Sequence, residues 1–142
     1  MWKCDPVFED VNGDGNLDLG LHPRKGDGTH VWLGDGKGAW KDSSANLKIG
    51  TTCGGGLVFW DINKDGHMDL AVGDHCNGGF VFLGDGQGGW SQAASKIFPV
   101  EIAKQSEADD YMGAEDIDLG DVNGDGHVDM VMGATDKGGI SL

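Results

Sequence analysis

The sequence is poor in basic residues. Its 142 residues include 10 Lys and Arg against 24 Asp and Glu, which gives a net charge of −14. Nucleic acids and anionic membrane surfaces are bound through clustered Lys and Arg, so neither partner is expected. No run of residues approaches the roughly 18 consecutive apolar residues that a membrane span requires. Membrane insertion is therefore excluded as well.

Proline is scarce and helical periodicity is absent, whereas glycine is abundant. The chain has 3 Pro and 27 Gly, and the glycines stand in pairs and triplets between apolar runs. This placement is typical of the turns of all-β proteins. No segment keeps a helical period over several turns, although residues 91–108 could hold one short helix. The sequence thus predicts an all-β fold.

The three cysteines are an odd number, so at least one thiol is free or paired outside the chain. They are Cys4, Cys53 and Cys76. Our first choice for a disulfide is Cys53–Cys76. The alternative is three reduced thiols.

Three segments of the chain repeat one pattern, Asp-x-Asn-x-Asp-Gly-x-x-Asp followed by alternating apolar residues. They cover residues 7–21, 59–73 and 119–133. A second block, at residues 31–40, recurs at 81–90, and residues 138–142 match 78–82. Repeats of about 50 residues indicate an array of one supersecondary unit, as in solenoids and propellers.

Each unit is predicted to consist of β-strands. Leu17, Leu19 and Leu21 alternate with polar or small residues, which predicts a strand with one buried face. The next run, beginning at Val31, is apolar on both faces and is expected to be sandwiched. Asp35-Gly36, like Asp85-Gly86 in the second unit, favours a hairpin turn. Four such strands fit a propeller blade, so we predict a partial β-propeller of about two and a half blades. The predicted units of this single repeat domain are residues 1–50, 51–110 and 111–142, the last incomplete.

The acidic loops predict calcium binding. Calcium takes six to eight oxygen ligands, which one loop can supply if side-chain oxygens recur at alternate positions. Positions one, three, five and nine are Asp, Asn, Asp and Asp in every loop, and the glycine at position six permits the sharp turn. The residue at position seven differs between the loops, which suits a ligand that is a backbone carbonyl oxygen rather than a side chain. The predicted ligands of the three Ca²⁺ sites are Asp10, Asn12, Asp14, Asn16 and Asp18; Asp61, Asn63, Asp65, His67 and Asp69; and Asp121, Asn123, Asp125, His127 and Asp129.

Other calcium-binding loops that begin with the same residues are excluded by the residue type at position twelve. An EF-hand, a dockerin repeat and a thrombospondin type 3 repeat each need an oxygen ligand there. Here the residues are Leu21, Val72 and Met132. Metal-free Asx-turns are the remaining alternative, but nine carboxylates in three tight clusters would repel one another without a cation. Magnesium is less suitable because it keeps its waters.

With these motifs, and with Leu-Gly-Asp-Gly-x-Gly-x-Trp ending at Trp40 and Trp90, the chain resembles the FG-GAP/VCBS repeat family. The resemblance covers residues 6–40, 57–90 and 115–142. It implies a propeller of about seven blades, with calcium stiffening the hairpin between the first two strands of each blade. It also implies a role in recognition or adhesion, as in the propellers of integrin α subunits and some lectins.

Two and a half blades would leave two open edges with unpaired backbone groups and exposed apolar faces. Three solutions stay open. The chain is a fragment of a longer protein, several copies close a ring, or copies add edge to edge into a filament.

The sequence contains no catalytic constellation, so we expect the protein not to be an enzyme. His75 beside Cys76 hints at a transition-metal site, but a turn histidine next to a structural cysteine is the better interpretation. Trp40 and Trp90 are expected to pack between blades rather than to bind sugar. The role of Trp60 stays open.

Three functions follow from these observations. The first is a non-catalytic, calcium-binding recognition or adhesion module for a protein or carbohydrate ligand. The second is a structural protein that assembles through its open edges into a homo-oligomer, ring or filament. The third is an accessory region of a larger secreted enzyme that acts on polysaccharide. We expect an extracellular or cell-surface location, because such loops are saturated only where calcium is abundant.

Overall fold

The computed structural model describes residues 5–93, 114–134 and 139–141. Every regular element in these ranges is a β-strand, as the sequence predicts. The short helix considered for residues 91–108 falls for the most part outside the described residues, as does Cys4. The strands are β1 (Val7–Glu9), β2 (Asp18–Leu21), β3 (His30–Gly34), β4 (Trp40–Asp42), β5 (Leu57–Trp60), β6 (Asp69–Asp74), β7 (Gly78–Gly84), β8 (Trp90–Gln92), β9 (Ala114–Gly120), β10 (Asp129–Ala134) and β11 (Gly139–Ser141).

The strands form three antiparallel sheets in which chain order equals spatial order. Sheet one is β1-β2-β3-β4, sheet two is β5-β6-β7-β8, and sheet three is β9-β10-β11. Each sheet lies within one predicted unit, while the unit boundaries themselves stay a prediction. The sheets share a register, since Leu19 lies opposite Trp32 in sheet one and Leu70 lies opposite Phe82 in sheet two. Such meanders are the blades of a partial propeller, which confirms the predicted fold class.

The predicted turns connect the predicted strands. Asp35-Gly36 lies between β3 and β4, and the Asp35 carboxylate accepts the backbone N–H groups of Lys37 and Ala39 at 2.8 and 2.9 Å. Gly36 has a φ of +66°, a conformation that glycine adopts without strain. Asp85-Gly86 forms the same turn between β7 and β8. The acidic loops connect the first two strands of each sheet.

Two apolar cores hold the three sheets together. The first lies between sheets one and two and includes Val31, Phe59 and Trp90. The second lies between sheets two and three and includes Ala71 and Ile117. Burial of these faces is the main stabilising contribution to the stack.

The second strand of sheet two departs from the sequence prediction. Alternation predicted one buried face, but every residue of β6 is buried. The prediction was wrong here because sheet two is covered on both sides, and Ala71 and Gly73 are small enough to lie against the neighbouring sheet. In sheet one Leu17, which was placed on the buried face, is exposed.

The connection between sheets one and two is fixed by contacts of its own. Leu47 is buried in the first core, and its carbonyl accepts the N–H of Thr29 at 3.1 Å. Gly28 lies so close to this connection that a Cβ there would stand 2.7 Å from the Cα of Lys48. Asn46 donates to the carbonyl of Trp90 at 3.3 Å. These contacts fix the position of the first blade relative to the second.

Candidate metal centre

The first acidic loop folds around the carboxylate at its position one. Asp10 accepts the backbone N–H of Asp14 at 3.1 Å and that of Gly15 at 2.8 Å. Asn12 accepts the same Asp14 N–H at 3.0 Å, and Asp14 accepts the N–H of Asn16 at 2.8 Å. The oxygen-bearing side chains at positions one, three and five are therefore held by backbone donors of one tight turn.

The other two loops repeat these contacts. In the second loop Asp61 accepts the N–H groups of Asp65 and Gly66 at 3.0 and 2.9 Å. In the third loop Asp121 accepts those of Asp125 and Gly126 at 3.1 and 2.8 Å. At position three, Asn63 and Asn123 make the same pair of contacts with position five as Asn12 does. Three copies of one conformation are present.

The loop conformation needs positive φ at two positions, of which the sequence prediction named one. Position six is glycine in every loop, with φ between +84° and +87°. Position four is also left-handed, at Gly13 (+72°), Gly124 (+77°) and Lys64 (+61°). The signal was in the sequence, because two of the three units carry glycine there. Lys64 holds a conformation that an L side chain rarely adopts.

In the first two loops the side chain at position seven lies against the Asp-Gly turn of the same sheet, and a hydrogen bond from the Asn16 side chain also lowers the pKa of Asp14. Asn16 lies against Gly36, where an added Cβ would collide with its side chain. His67 lies in the same way against Gly86. The first and second loops are thereby packed against the Asp-Gly turns of their own sheets.

Position nine has a structural role that the sequence prediction did not include. Asp18 is buried, and its two carboxylate oxygens accept the N–H groups of Val11 at 2.9 Å and Gly34 at 2.8 Å. Asp69 likewise accepts from Ile62 at 3.0 Å and Gly84 at 2.9 Å. The N–H of Val122 donates to Asp129 at 3.0 Å. In sheets one and two this carboxylate ties the acidic loop to the third strand.

The electrostatics of the loops favours ionised carboxylates. The N–H of Asn16 and the amide of Asn12 lower the pKa of Asp14 below its usual value. Asn63 and the N–H of His67 do the same for Asp65. In the third loop the N–H of Gly126 lowers the pKa of Asp121, and the N–H of His127 lowers that of Asp125. The hydrogen bonds therefore stabilise the ionised form of these four carboxylates.

The predicted ligands are thus divided into two groups by the structure. Positions one, three and five share one hydrogen-bonded turn at the surface, whereas position nine is engaged with backbone amides beneath it. Consistent with this division, no group of three His, Cys, Asp or Glu side chains converges anywhere in the described ranges. A cation at these loops would draw on amide and backbone carbonyl oxygens as much as on carboxylates.

A buried polar centre links sheets one and two, and no motif in the sequence predicts it. Asp74 Oδ2 lies 2.8 Å from His22 Nε2, and His22 Nδ1 lies 3.0 Å from the Thr29 hydroxyl. Burial raises the pKa of Asp74, but hydrogen bonds from His22, the Cys53 N–H and Asn77 outweigh it and lower the pKa to about 2. All three side chains are shielded from solvent, so no substrate could reach them and the centre is structural.

The disulfide lies beside this centre. Cys53 and Cys76 are joined, with Cα atoms 5.6 Å apart. Their backbone N–H groups both donate to Asp74, at 2.9 and 3.0 Å. Because the Cys76 sulfur is in the disulfide, His75 and Cys76 do not form a thiolate metal site.

The three tryptophans that the sequence singles out differ in exposure. Trp90 is buried between sheets one and two, and its indole N–H donates to the Ser43 carbonyl at 2.9 Å. Trp40, at the matching place in sheet one, is 48% exposed, so among the described residues the prediction of packing between blades fits Trp90 and not Trp40. Trp60, directly before the second loop, is 44% exposed.

Comparison with known proteins identifies the repeat. The described part of the chain contains no helix of the length and apolarity needed to cross a membrane. No curated protein sequence matches the chain at a significant level. The family model described as FG-GAP-like repeat matches residues 10–72 and again residues 61–132, and each match begins at the first Asp of an acidic loop. Since the two matches span most of the 142 residues, the protein belongs to the FG-GAP-like repeat family.

Proposed function

We propose that the protein is a non-catalytic, calcium-binding propeller module that acts outside the cell in recognition or adhesion. The observation that carries the proposal is the identical conformation of the three acidic loops. A turn needed only for chain reversal would not have to preserve Asp, Asn and Asp at positions one, three and five in every copy. Calcium accounts for the preserved oxygens, because it prefers hard oxygen ligands in this alternating order.

The donor set fits calcium in number and kind. Each loop offers side-chain oxygens at positions one, three and five and the carbonyl at position seven. The aspartate at position nine completes the set, since an ionised carboxylate oxygen that accepts one amide hydrogen bond still has a free lone pair. Bound calcium would neutralise charge and stiffen the hairpin. Waters would fill the remaining positions of the coordination sphere.

The extracellular location has separate support. The Cys53–Cys76 disulfide persists in oxidising compartments and is rare in reducing ones. The net charge of −14 is tolerated where calcium is abundant enough to fill the loops.

Trp60 is the residue we propose for ligand contact. It is an exposed aromatic side chain directly before the second loop, and calcium binding there would order its backbone. Aromatic faces bind both sugars and proteins. A glycan array, with the wild-type chain and a Trp60→Ala variant in calcium and in chelator, tests the carbohydrate form. Binding that is lost in chelator and in the variant is expected, and retention of binding in Trp60→Ala would contradict the assignment.

The calcium proposal is tested by thermal unfolding in calcium and in excess chelator. Each site filled at a hundredfold excess over its dissociation constant should stabilise the fold by about 2.7 kcal/mol. Asp65→Asn should remove the contribution of one loop and leave the stability in chelator nearly unchanged, because Asp65 is exposed. Asp69→Asn should lower stability in chelator as well, since Asp69 is buried and accepts backbone N–H groups.

Asp42→Asn is the matched control, because it removes one exposed carboxylate outside the loops. It should leave the difference between calcium and chelator intact. Equal unfolding midpoints for the wild-type chain in calcium and in chelator would refute the proposal.

A further inference from the structure

The second acidic loop carries a lysine where the other two loops carry glycine. Position four is Lys64 in the second loop, Gly13 in the first and Gly124 in the third. All three residues have a left-handed backbone, which glycine adopts freely and lysine does not. A glycine would therefore satisfy the turn of the second loop as it does in the other two. What the lysine adds to the loop is its side chain.

The side chain of Lys64 reaches out of its own loop to the third loop. Its Nζ donates to the backbone carbonyl of Gly126, which is position six there. The charge also acts on Asp125, at position five of the third loop. The N–H of His127 makes the largest contribution to the lowered pKa of Asp125, and the ammonium of Lys64 lowers it further. A positive charge from the second loop therefore lies against the ligand-bearing turn of the third.

Packing keeps the two loops side by side. Ile62, at position two of the second loop, and Val128, at position eight of the third, both pack against the second core. Lys64 is exposed, so its contact with Gly126 contributes little to the stability of the fold. Because the core holds both loops, the ammonium stays within the length of one side chain of the third loop even when this hydrogen bond breaks.

A calcium ion in the third loop would be repelled by this ammonium. Both charges lie at the surface, where water and salt weaken the repulsion without abolishing it. For a separation of about 7 Å, the repulsion lowers calcium affinity on the order of threefold at physiological ionic strength. Position four of the first loop is Gly13, so no corresponding side chain reaches from there to the second loop.

We propose that Lys64 sets the calcium affinity of the third loop by holding a positive charge against it, so that the third site fills at a higher calcium concentration than it would without this residue. The inference rests on the proposed calcium-binding function. It goes beyond that function because the repeat pattern alone predicts three equivalent sites, whereas the contact between neighbouring sheets makes the third site different.

The test measures calcium affinity at each loop separately by NMR. The position-six N–H groups of Gly15, Gly66 and Gly126 each donate to the position-one carboxylate of their own loop, so each amide signal reports one site. Lys64→Gln removes the charge but keeps a hydrogen-bond donor at the end of a flexible side chain. In a calcium titration of metal-free protein, this variant should raise the affinity at Gly126 about threefold and leave that at Gly15 unchanged.

Two further variants separate charge from packing. Lys64→Glu reverses the charge and should raise the affinity at Gly126 about tenfold, because the repulsion scales with the charge. Lys64→Arg keeps the charge and should bind calcium there as the wild type does. All three variants keep a side chain at the left-handed position 64, so they share its backbone strain, whose effect on stability is measured in chelator. At an ionic strength of about 0.01 M the gain of Lys64→Gln should rise to about fivefold, which a purely steric role of the lysine would not cause.

Lys25→Gln is the matched control for net charge. It removes the same charge from an exposed lysine in the connection between β2 and β3, at the opposite end of sheet one from its acidic loop. The affinity at Gly126 should stay as in the wild type. An equal gain in this control would assign the effect to net charge and overturn the role of Lys64.

Three other results would overturn the inference. Calcium binding at all three loops, with unchanged affinity at Gly126 in both Lys64→Gln and Lys64→Glu, would refute it and leave the proposed function intact. A larger gain at Gly66 than at Gly126 would mean that the charge acts on its own loop. Amide signals that respond to calcium at none of the loops would refute the proposed function and this inference together, so the two failures can be told apart.

Discussion

Sheets one and two are built from the same sequence pattern, yet their matching residues differ in environment. Each has four antiparallel strands, an acidic loop after the first strand and an Asp-Gly turn after the third. Phe59 and Trp90 are nevertheless buried, while Phe8 and Trp40 are about half exposed. The repeat therefore determines which residues share a face, and the neighbouring sheet determines whether this face is buried.

The largest effect that tests this comparison is the truncation of the matching phenylalanines. Phe59→Ala should cost about 3–5 kcal/mol of unfolding free energy, because it leaves a cavity between sheets one and two. Phe8→Ala should cost less than about 1 kcal/mol in dilute protein, since its ring is half exposed. Urea denaturation in the presence of calcium measures the unfolding free energy of both variants. Equal losses would show that the two sheets are not distinguished by their neighbours.

The disulfide also distinguishes the two sheets, because within the described residues it belongs to the region of sheet two alone. It joins residues 23 positions apart, and a loop of this length corresponds to about 3 kcal/mol of stability. The double variant Cys53→Ser with Cys76→Ser should lose about this amount in urea denaturation. The Cys4→Ser variant serves as the control for general thiol effects. A double variant as stable as the wild type would contradict the estimate.

The buried centre of Asp74 should make the junction of sheets one and two sensitive to acid. The folded pKa of about 2 lies below the unfolded value of 3.8, so ionised Asp74 stabilises the fold above pH 4. This contribution, about 2 kcal/mol, should be lost as the pH falls from 4 to 2. The stability difference between the wild type and Asp74→Asn, followed by urea denaturation across this range, should shrink accordingly. A difference that stays constant with pH would contradict the assignment.

The smallest predicted change in stability concerns a difference between the first and second acidic loops. Gly13 and Lys64 have the same left-handed backbone conformation, which disfavours a lysine. Lys64→Gly should stabilise the protein by up to about 1 kcal/mol in thermal unfolding. Lys64 also donates to the carbonyl of Gly126 in the third loop. Lys64→Ala removes this contact but keeps the strained φ, so it should not be stabilising, and a gain equal to that of the glycine variant would rule out backbone strain as the cause.

The strands, their order and their turns could be predicted because their signals are local. Apolar alternation marks a strand within a few residues, and Asp35-Gly36 marks its own turn. The prediction of positive φ at position six rested on the same kind of evidence. Recurrence of the pattern then predicted the blades without any knowledge of long-range contacts.

The remaining features depend on contacts between distant residues, which a single sequence does not reveal. His22 and Asp74 are 52 residues apart, and nothing near either one indicates the pairing. Asp18 looks like any other aspartate of its loop, and only its burial beside Gly34 shows the second role. The exposure of Trp40 likewise depends on which sheets lie beside it. None of these features can be predicted from apolar periodicity or turn chemistry.

The most direct test of the account is the number of calcium ions bound by each chain, measured by calorimetric titration of metal-free protein. We expect three ions for the wild type and two for Asp65→Asn, because each acidic loop is one site. The Asp42→Asn variant should bind three. Absence of binding to the wild-type chain at extracellular calcium concentrations would contradict the central claim and leave the three loops as metal-free turns.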